Sequence, residues 1–182
     1  MKKIKKLLFR IWEILRHPAK TYQEVYNEGL KEAMLYFLTI LVILTVIMLI
    51  LGAIFFSLFI AQYLEEFPLL KWISFPSLVI FIPISGFILL IISGLILHLF
   101  VRLLGGRQGF KTTLKTCAYS STPLVLSFWF LPLIIITTVW SIILTIIGIQ
   151  EMQKISKIRA IGSVLLPPVV IAAISFALKM LL

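Results

Sequence analysis

Fifteen of the seventeen Lys and Arg residues lie in three clusters, and long segments without any charge run between them. The clusters are the first 32 residues, Arg102 to Lys115, and Lys154 to Arg159, while 33–64, 72–101, 116–150 and 160–178 contain no Asp, Glu, Lys or Arg. Uncharged apolar runs of about 18 or more residues read as transmembrane helices, since the hydrocarbon core is ~30 Å thick. Basic residues collect at the cytoplasmic ends of such helices. The pattern predicts an all-α polytopic membrane protein whose charges nearly dictate its topology.

Composition agrees. A chain that is 61% hydrophobic and 13% charged has too little polar surface to cover a water-soluble globule. Its net charge of +10 would suggest nucleic acid in a soluble protein. Here it is a positive-inside signal with capacity for anionic lipid headgroups, and no nucleic-acid partner is expected. The single Cys117 excludes an intrachain disulfide and reads as a small buried hydrophobe rather than a reactive thiol.

Residues 1–32 form a basic amphipathic segment, and 33–182 the membrane domain. The opening MKKIKKLLFRIWEILRHP is not a secretory signal, because Arg10, Glu13 and Arg16 interrupt the apolar stretch and no small-residue cleavage site follows. Ile4, Leu7, Leu8, Ile11 and Leu15 recur at helical spacing, which fits a helix on the cytoplasmic surface with Trp12 near headgroup level. His17-Pro18 ends it. A second short helix begins at Pro18, or from Thr21 as its N-cap, and Gly29 loosens the join to the first span.

The expected spans are 33–60, 74–100, 115–131, 133–150 and 160–180. The run 33–64 would be about 48 Å long as one helix, more than one crossing needs. The short acidic loop around Glu65 and Glu66 belongs outside. In the second run, Ser85-Gly86 and Ser93-Gly94 place small residues near one face, where another helix can approach closely. The run 116–150 decides the count. As one helix it would put the second and third basic clusters on opposite sides; as a hairpin broken at Pro132 it keeps both cytoplasmic with the N-terminus. Five spans follow, N-terminus in and C-terminus out. Pro167-Pro168 interrupts the last, and Lys179 snorkels to the outer surface.

Catalytic chemistry has little to work with. No carboxylate lies inside a span, and neither His17 nor His98 has a ligand-spaced partner. His98 reads as a helix-end histidine. Ion-coupled transport usually shows ionisable residues within the membrane, and none is present. No cofactor or metal is expected.

The most distinctive features border the cytoplasmic side. Leu103-Leu104-Gly105-Gly106-Arg107-Gln108-Gly109-Phe110-Lys111 is a glycine-rich basic loop whose glycines permit positive φ and a sharp turn. Ala118-Tyr119-Ser120-Ser121-Thr122-Pro123 follows, with hydroxyls able to satisfy backbone groups freed by Pro123. Glu151, the one acid in the two inner loops, is expected to pair with Arg102, Arg107, Lys111 or Lys115. The set Gly105, Gly106, Arg107, Lys111, Tyr119, Pro123 and Glu151 is either a turn-and-clamp device or a recognition surface for a protein or an anionic lipid headgroup. The glycines are not a P-loop, since no Lys-Ser/Thr follows at the required spacing.

At these residues the chain resembles the Yip-one domain family of integral membrane proteins, named for eukaryotic members that interact with Ypt/Rab GTPases. The likeness runs from HPAKTYQEV through RLLGGRQGFKTTLKTCAYSSTP to VWSIILTIIGIQEMQKISKIRAI. The resemblance implies five spans and a non-enzymatic role in membrane organisation or traffic, often in complexes with related five-span proteins. Only about 32 residues precede the first span, which resembles the compact prokaryotic members and implies a prokaryotic cell membrane. The expected function is that of a membrane scaffold or adaptor holding a membrane-protein partner, a second copy of itself or anionic lipid. The alternative is a small-solute or lipid transporter built on the proline-broken spans.

Overall fold

The computed structural model describes residues 2–55, 68–127 and 133–181. These form eight helices: α1 Lys2–Arg16, α2 Pro18–Val25, α3 Leu30–Phe55, α4 Pro68–Leu103, α5 Phe110–Ser120, α6 Leu124–Ser127, α7 Leu133–Gln153 and α8 Lys157–Leu181. Among the described residues, four stretches are long and apolar enough to cross a membrane: Leu30–Ile54, Val79–Leu103, Leu133–Gln153 and Lys157–Met180. The acidic loop at Glu65-Glu66 and the expected hairpin break at Pro132 lie outside the described residues.

Chemistry sets the boundaries. α1 stops at Arg16 because Pro18 follows, and α2 starts at Pro18, whose missing N–H would be unpaired in a first turn. Thr21 therefore lies inside α2, where its hydroxyl donates to His17 O at 3.0 Å. At the other end of the bundle's longest helix, Gly106 N–H donates to Val101 O at 2.8 Å and Gly105 N–H to Arg102 O at 3.1 Å. With Gly105 at φ 93°, this pair of bonds is a Schellman motif that closes α4. Gly106 is needed for another reason. A side chain there would collide with Val101 Cγ1 and come within 2.9 Å of Val101 O.

The segment expected as the third span is not one helix. α5 begins at Phe110, ends at Ser120 and gives way to a turn over 121–123 before the four-residue α6. The break falls at Pro123, which has no N–H to continue the helix. The chain after it folds back on α7. Gln153 meets Thr113, Thr116 meets Met152, and Ser127 meets Thr137, an antiparallel register in which the first arm and α7 run alongside each other.

α5 sits at the centre, packed against α3, α4 and α7. Thr113 to Thr116 and Ala118 to Ser120 are all buried. Small residues make the close approaches. A Cβ at Gly86 would lie 2.6 Å from Leu41 Cδ2 of α3, and one at Gly94 would lie 2.9 Å from Leu114 Cδ1 of α5. The paired Ser-Gly steps of α4 thus each receive a neighbouring helix. Outside this core, α4 and α8 present long apolar surfaces such as Phe81, Leu89, Val169 and Phe176, which suit lipid.

Gly148 of α7 is a tight junction between α2 and the bundle, for a Cβ there would lie 2.6 Å from Tyr22 Cζ and 2.5 Å from Thr116 Cγ2. Gly148→Ala is expected to destabilise by about 1–3 kcal/mol through overpacking. Gly109→Ala, with nothing within 4 Å of the added carbon and φ −67°, is expected to leave stability unchanged or slightly higher. Thermal unfolding of the detergent-solubilised variants measures both, and equal melting temperatures would contradict this packing.

Candidate functional site

The sequence features converge on one end of the bundle, where α1 and α2 dock on α5 and α7. Arg10 is the fastening. It falls three residues after Leu7 and four before the buried Ile14, on the apolar stripe of α1, so its charge needs a partner there. Glu28 supplies it. Arg10 Nη1 and Nη2 donate to the two carboxylate oxygens at 2.6 and 2.7 Å, the bidentate fork that makes such pairs strong. Tyr119 OH donates to Glu28 Oε2 at 3.1 Å and lies 3.4 Å from Arg10 Nη1. Burial pulls the Arg10 guanidinium pKa down, but hydrogen bonding to Glu28, the Glu28 charge and the hydrogen bond to Tyr119 hold it above its ordinary value.

Beneath this pair, Lys115 of α5 donates to Tyr26 O at 2.8 Å and Glu28 O at 2.7 Å. It thereby satisfies carbonyls of the α2–α3 linker. Tyr119 is itself enclosed by aromatic rings, Tyr36 at 4.8 Å and Tyr22 edge-on at 6.4 Å between centroids. Burial pushes the Tyr22 phenol well above its usual range, with Tyr36, Cys117 and Tyr119 adding to the shift. Its hydroxyl is buried with no hydrogen-bond partner among the described residues.

A second polar chain joins the two inner loops. Gln108 N–H donates to Gln153 Oε1 at 3.1 Å, Gln153 Nε2 donates to Thr113 Oγ1 at 2.9 Å, and that hydroxyl meets His98 Nδ1 at 2.8 Å. His98 also stands edge-on to Phe110 at 5.6 Å. It is a bonded, packed histidine at the end of α4. Among the described residues no three His, Cys, Asp or Glu side chains are grouped to hold a metal.

Of the residues singled out from the sequence, Gly105 alone has positive φ, so the expectation of glycine-specific backbone holds there and not at Gly106 or Gly109. Tyr119 and Pro123 are buried, and Arg107 and Lys111 are exposed. Glu151 does not pair with the basic loop residues. Its carboxylate accepts from Gln23 Nε2 at 2.9 Å, and among the described residues no ion pair joins it to Arg102, Arg107, Lys111 or Lys115. The physical reason is the docked α2, which occupies the side of α7 that Glu151 faces. The bond still ties two segments together, but the clamp is between α2 and α7.

Arg10, Glu28 and Gln153 were not among the residues drawn from the sequence. A signal existed for two of them. Arg10 interrupts the stripe of α1, and Gln153 continues the buried series Leu144, Gly148, Ile149 and Met152 of α7. Nothing local distinguishes Glu28 from Glu24, which makes only an exposed contact to Lys20 at 3.8 Å.

Deeper in the bundle lies a cavity of about 590 Å³ between α3, α4, α5, α7 and α8, reaching Pro167 and Pro168. Its walls are mainly apolar, with Ser93, Ser120, Ser121 and Thr145 among them. Those four hydroxyls donate to carbonyls three or four residues back, while Ser141, also in the lining, has its hydroxyl buried with no hydrogen-bond partner among the described residues.

The long apolar helices, their lipid-suited outer faces and the basic loops at one end define an integral membrane protein. The chain belongs to the Yip1 domain family, whose model matches residues 12–178, nearly its full length. No curated protein and no solved structure gives a significant match.

If Arg10–Glu28–Tyr119 fastens α1, Arg10→Ala should cost about 1–3 kcal/mol and raise hydrogen exchange across 7–26 selectively. Arg10→Lys should restore only part of the protection, because an ammonium lacks the planar fork. Unchanged exchange in Arg10→Ala would show that apolar packing alone holds α1.

Proposed function

We propose that this protein is a non-enzymatic membrane scaffold or adaptor of the Yip1 type, whose basic end faces the cytoplasm and holds a protein partner. The observation that carries the reading is the gathering of all three basic clusters at one end. Lys115 reaches the α2–α3 linker, Gln23 reaches Glu151, and Gln108 reaches Gln153. The positive-inside rule then orients that end inward. The α5–α6 arm lies antiparallel to α7, which supports a hairpin with both arms crossing and hence five crossings with the C-terminus outside.

The non-enzymatic reading is supported by where the polar groups are spent. His98, Tyr119, Gln153 and Lys115 all hold one segment against another. Facing outward, meanwhile, are Phe9 and Trp12 of α1, 60% and 58% exposed, and the charged side chains of Arg107 and Lys111. Trp12 has the Arg16 guanidinium 5.3 Å from its ring centroid, and an exposed aromatic group beside a cation suits both a headgroup layer and a partner surface.

In-cell crosslinking of the tagged protein, followed by purification and mass spectrometry, tests this. A partner recovered with the wild type should fall roughly tenfold with Arg107→Glu/Lys111→Glu, since reversed charges repel an acidic partner surface. The variant must insert and elute as the wild type does. An identical set of recovered proteins from both would refute the adaptor reading.

A further inference from the structure

The α4–α5 and α7–α8 loops enclose a pocket of about 420 Å³, with Gly105, Arg107, Gln108, Lys154, Ser156 and Arg159 in its lining. We propose that this pocket binds a phosphate group, carried by an anionic phospholipid headgroup or a free phosphate ester. Three cations line it and no carboxylate does. Among the described residues, Arg107 and Arg159 have no hydrogen bond or ion pair. Lys154 lies 4.8 Å from the centroid of the Tyr26 ring, an attraction that leaves its charge uncompensated. Three like charges around one concavity repel one another, and an anion seated between them relieves that repulsion.

The backbone is shaped to keep them there. Lys154 adopts φ 56°, the one positive value outside glycine among the described residues. That left-handed conformation is unfavourable for a lysine and turns the chain tightly from α7 into α8. Gly105 leaves room for Arg159, whose Nη1 would lie 3.1 Å from a Cβ at that position. The guanidinium fork suits two phosphate oxygens at once. The first turn of α8, whose opening N–H groups have no intrahelical partner, adds partial positive charge beside Ser156. Strongly exposed apolar side chains flank the pocket in sequence, Leu103 at 71% and Ile158 at 78%. They offer a surface for acyl chains beside a charged head. The site requires no protein partner, so its test is separate from that of the adaptor reading.

Native mass spectrometry of the full-length protein in detergent, titrated with phosphatidylglycerol, phosphatidylcholine or inorganic phosphate, decides the matter. The pocket variant is Arg159→Gln/Lys154→Asn, asparagine being tolerant of the left-handed conformation. The control is Lys20→Gln/Lys31→Gln, equal in charge and on exposed positions elsewhere. Phosphatidylglycerol should bind better than phosphatidylcholine and lose roughly tenfold in affinity in the pocket variant. The control should stay within about twofold, since remote exposed charges are screened. Inorganic phosphate bound by wild type and lost in the variant, without lipid selectivity, would assign a free phosphate ester as the ligand. Should the double variant melt well below wild type, Arg107→Gln alone replaces it. Equal losses in pocket and control variants, or binding of every probe unaltered by the pocket substitutions, would overturn the site.

Discussion

In a bilayer every backbone polar group has to find its partner within the protein, and the fold turns on how the chain meets that demand after Ser120. Pro123 offers no N–H, so the carbonyl of Tyr119 loses its helical donor. Thr122 replaces it twice, through its backbone N–H at 3.3 Å and its hydroxyl at 2.5 Å. Ser120 and Ser121 donate to Cys117 O and Ala118 O in the same way. Leu124, Val125 and Leu126 then bond three residues back, to Ser121, Thr122 and Pro123. The turn is thus internally satisfied before any neighbour arrives. What neighbours add is enclosure: Tyr36 of α3 reaches Thr122 at 2.7 Å, and Thr137 of α7 reaches Ser127 at 2.5 Å.

Tyr119 joins that turn to the surface. Its carbonyl is the one released by Pro123, its ring fills the space between Tyr22 and Tyr36, and its hydroxyl reaches Glu28 and Arg10. One residue therefore connects the broken helix, the aromatic core and the docked N-terminal helix. A phenylalanine in its place would keep the packing and lose the link to Glu28. That separation of roles explains why a tyrosine, with an apolar body and a polar tip, suits the base of α5.

The charge-free runs made the four long helices legible, and the charge rule anticipated that the α5–α6 arm runs antiparallel to α7, because only a reversal brings the second and third basic clusters together. Gly105-Gly106 was legible as a turn. Less so was the internal break of the first hairpin arm. Pro123 and Pro132 are both credible helix ends by local chemistry, and the run of hydroxyls before Pro123 was the distinguishing sign, since it supplies replacement donors. The partner of Glu151 was not legible at all. Pairing an acid with the nearest bases ignores that α2, far away in sequence, packs on α7 and brings Gln23 to Glu151. Glu28 was hidden for the same reason, as its value comes from Arg10 and Tyr119, which only the tertiary fold brings near.

The basic residues at this end have two distinct fates, although all serve equally well to mark one side of a membrane. Arg10 and Lys115 are spent internally, one on a carboxylate and the other on two carbonyls. Arg107, Lys154 and Arg159 are exposed, yet face one concavity. A purely topological signal has no need of that convergence, because the charge rule counts residues near a span and is indifferent to their direction. Nor does folding alone reward it: gathering like charges and placing a lysine in a left-handed conformation both oppose the compact state. An arrangement that costs the free protein stability is accounted for when something of opposite charge binds there and returns more than the arrangement costs.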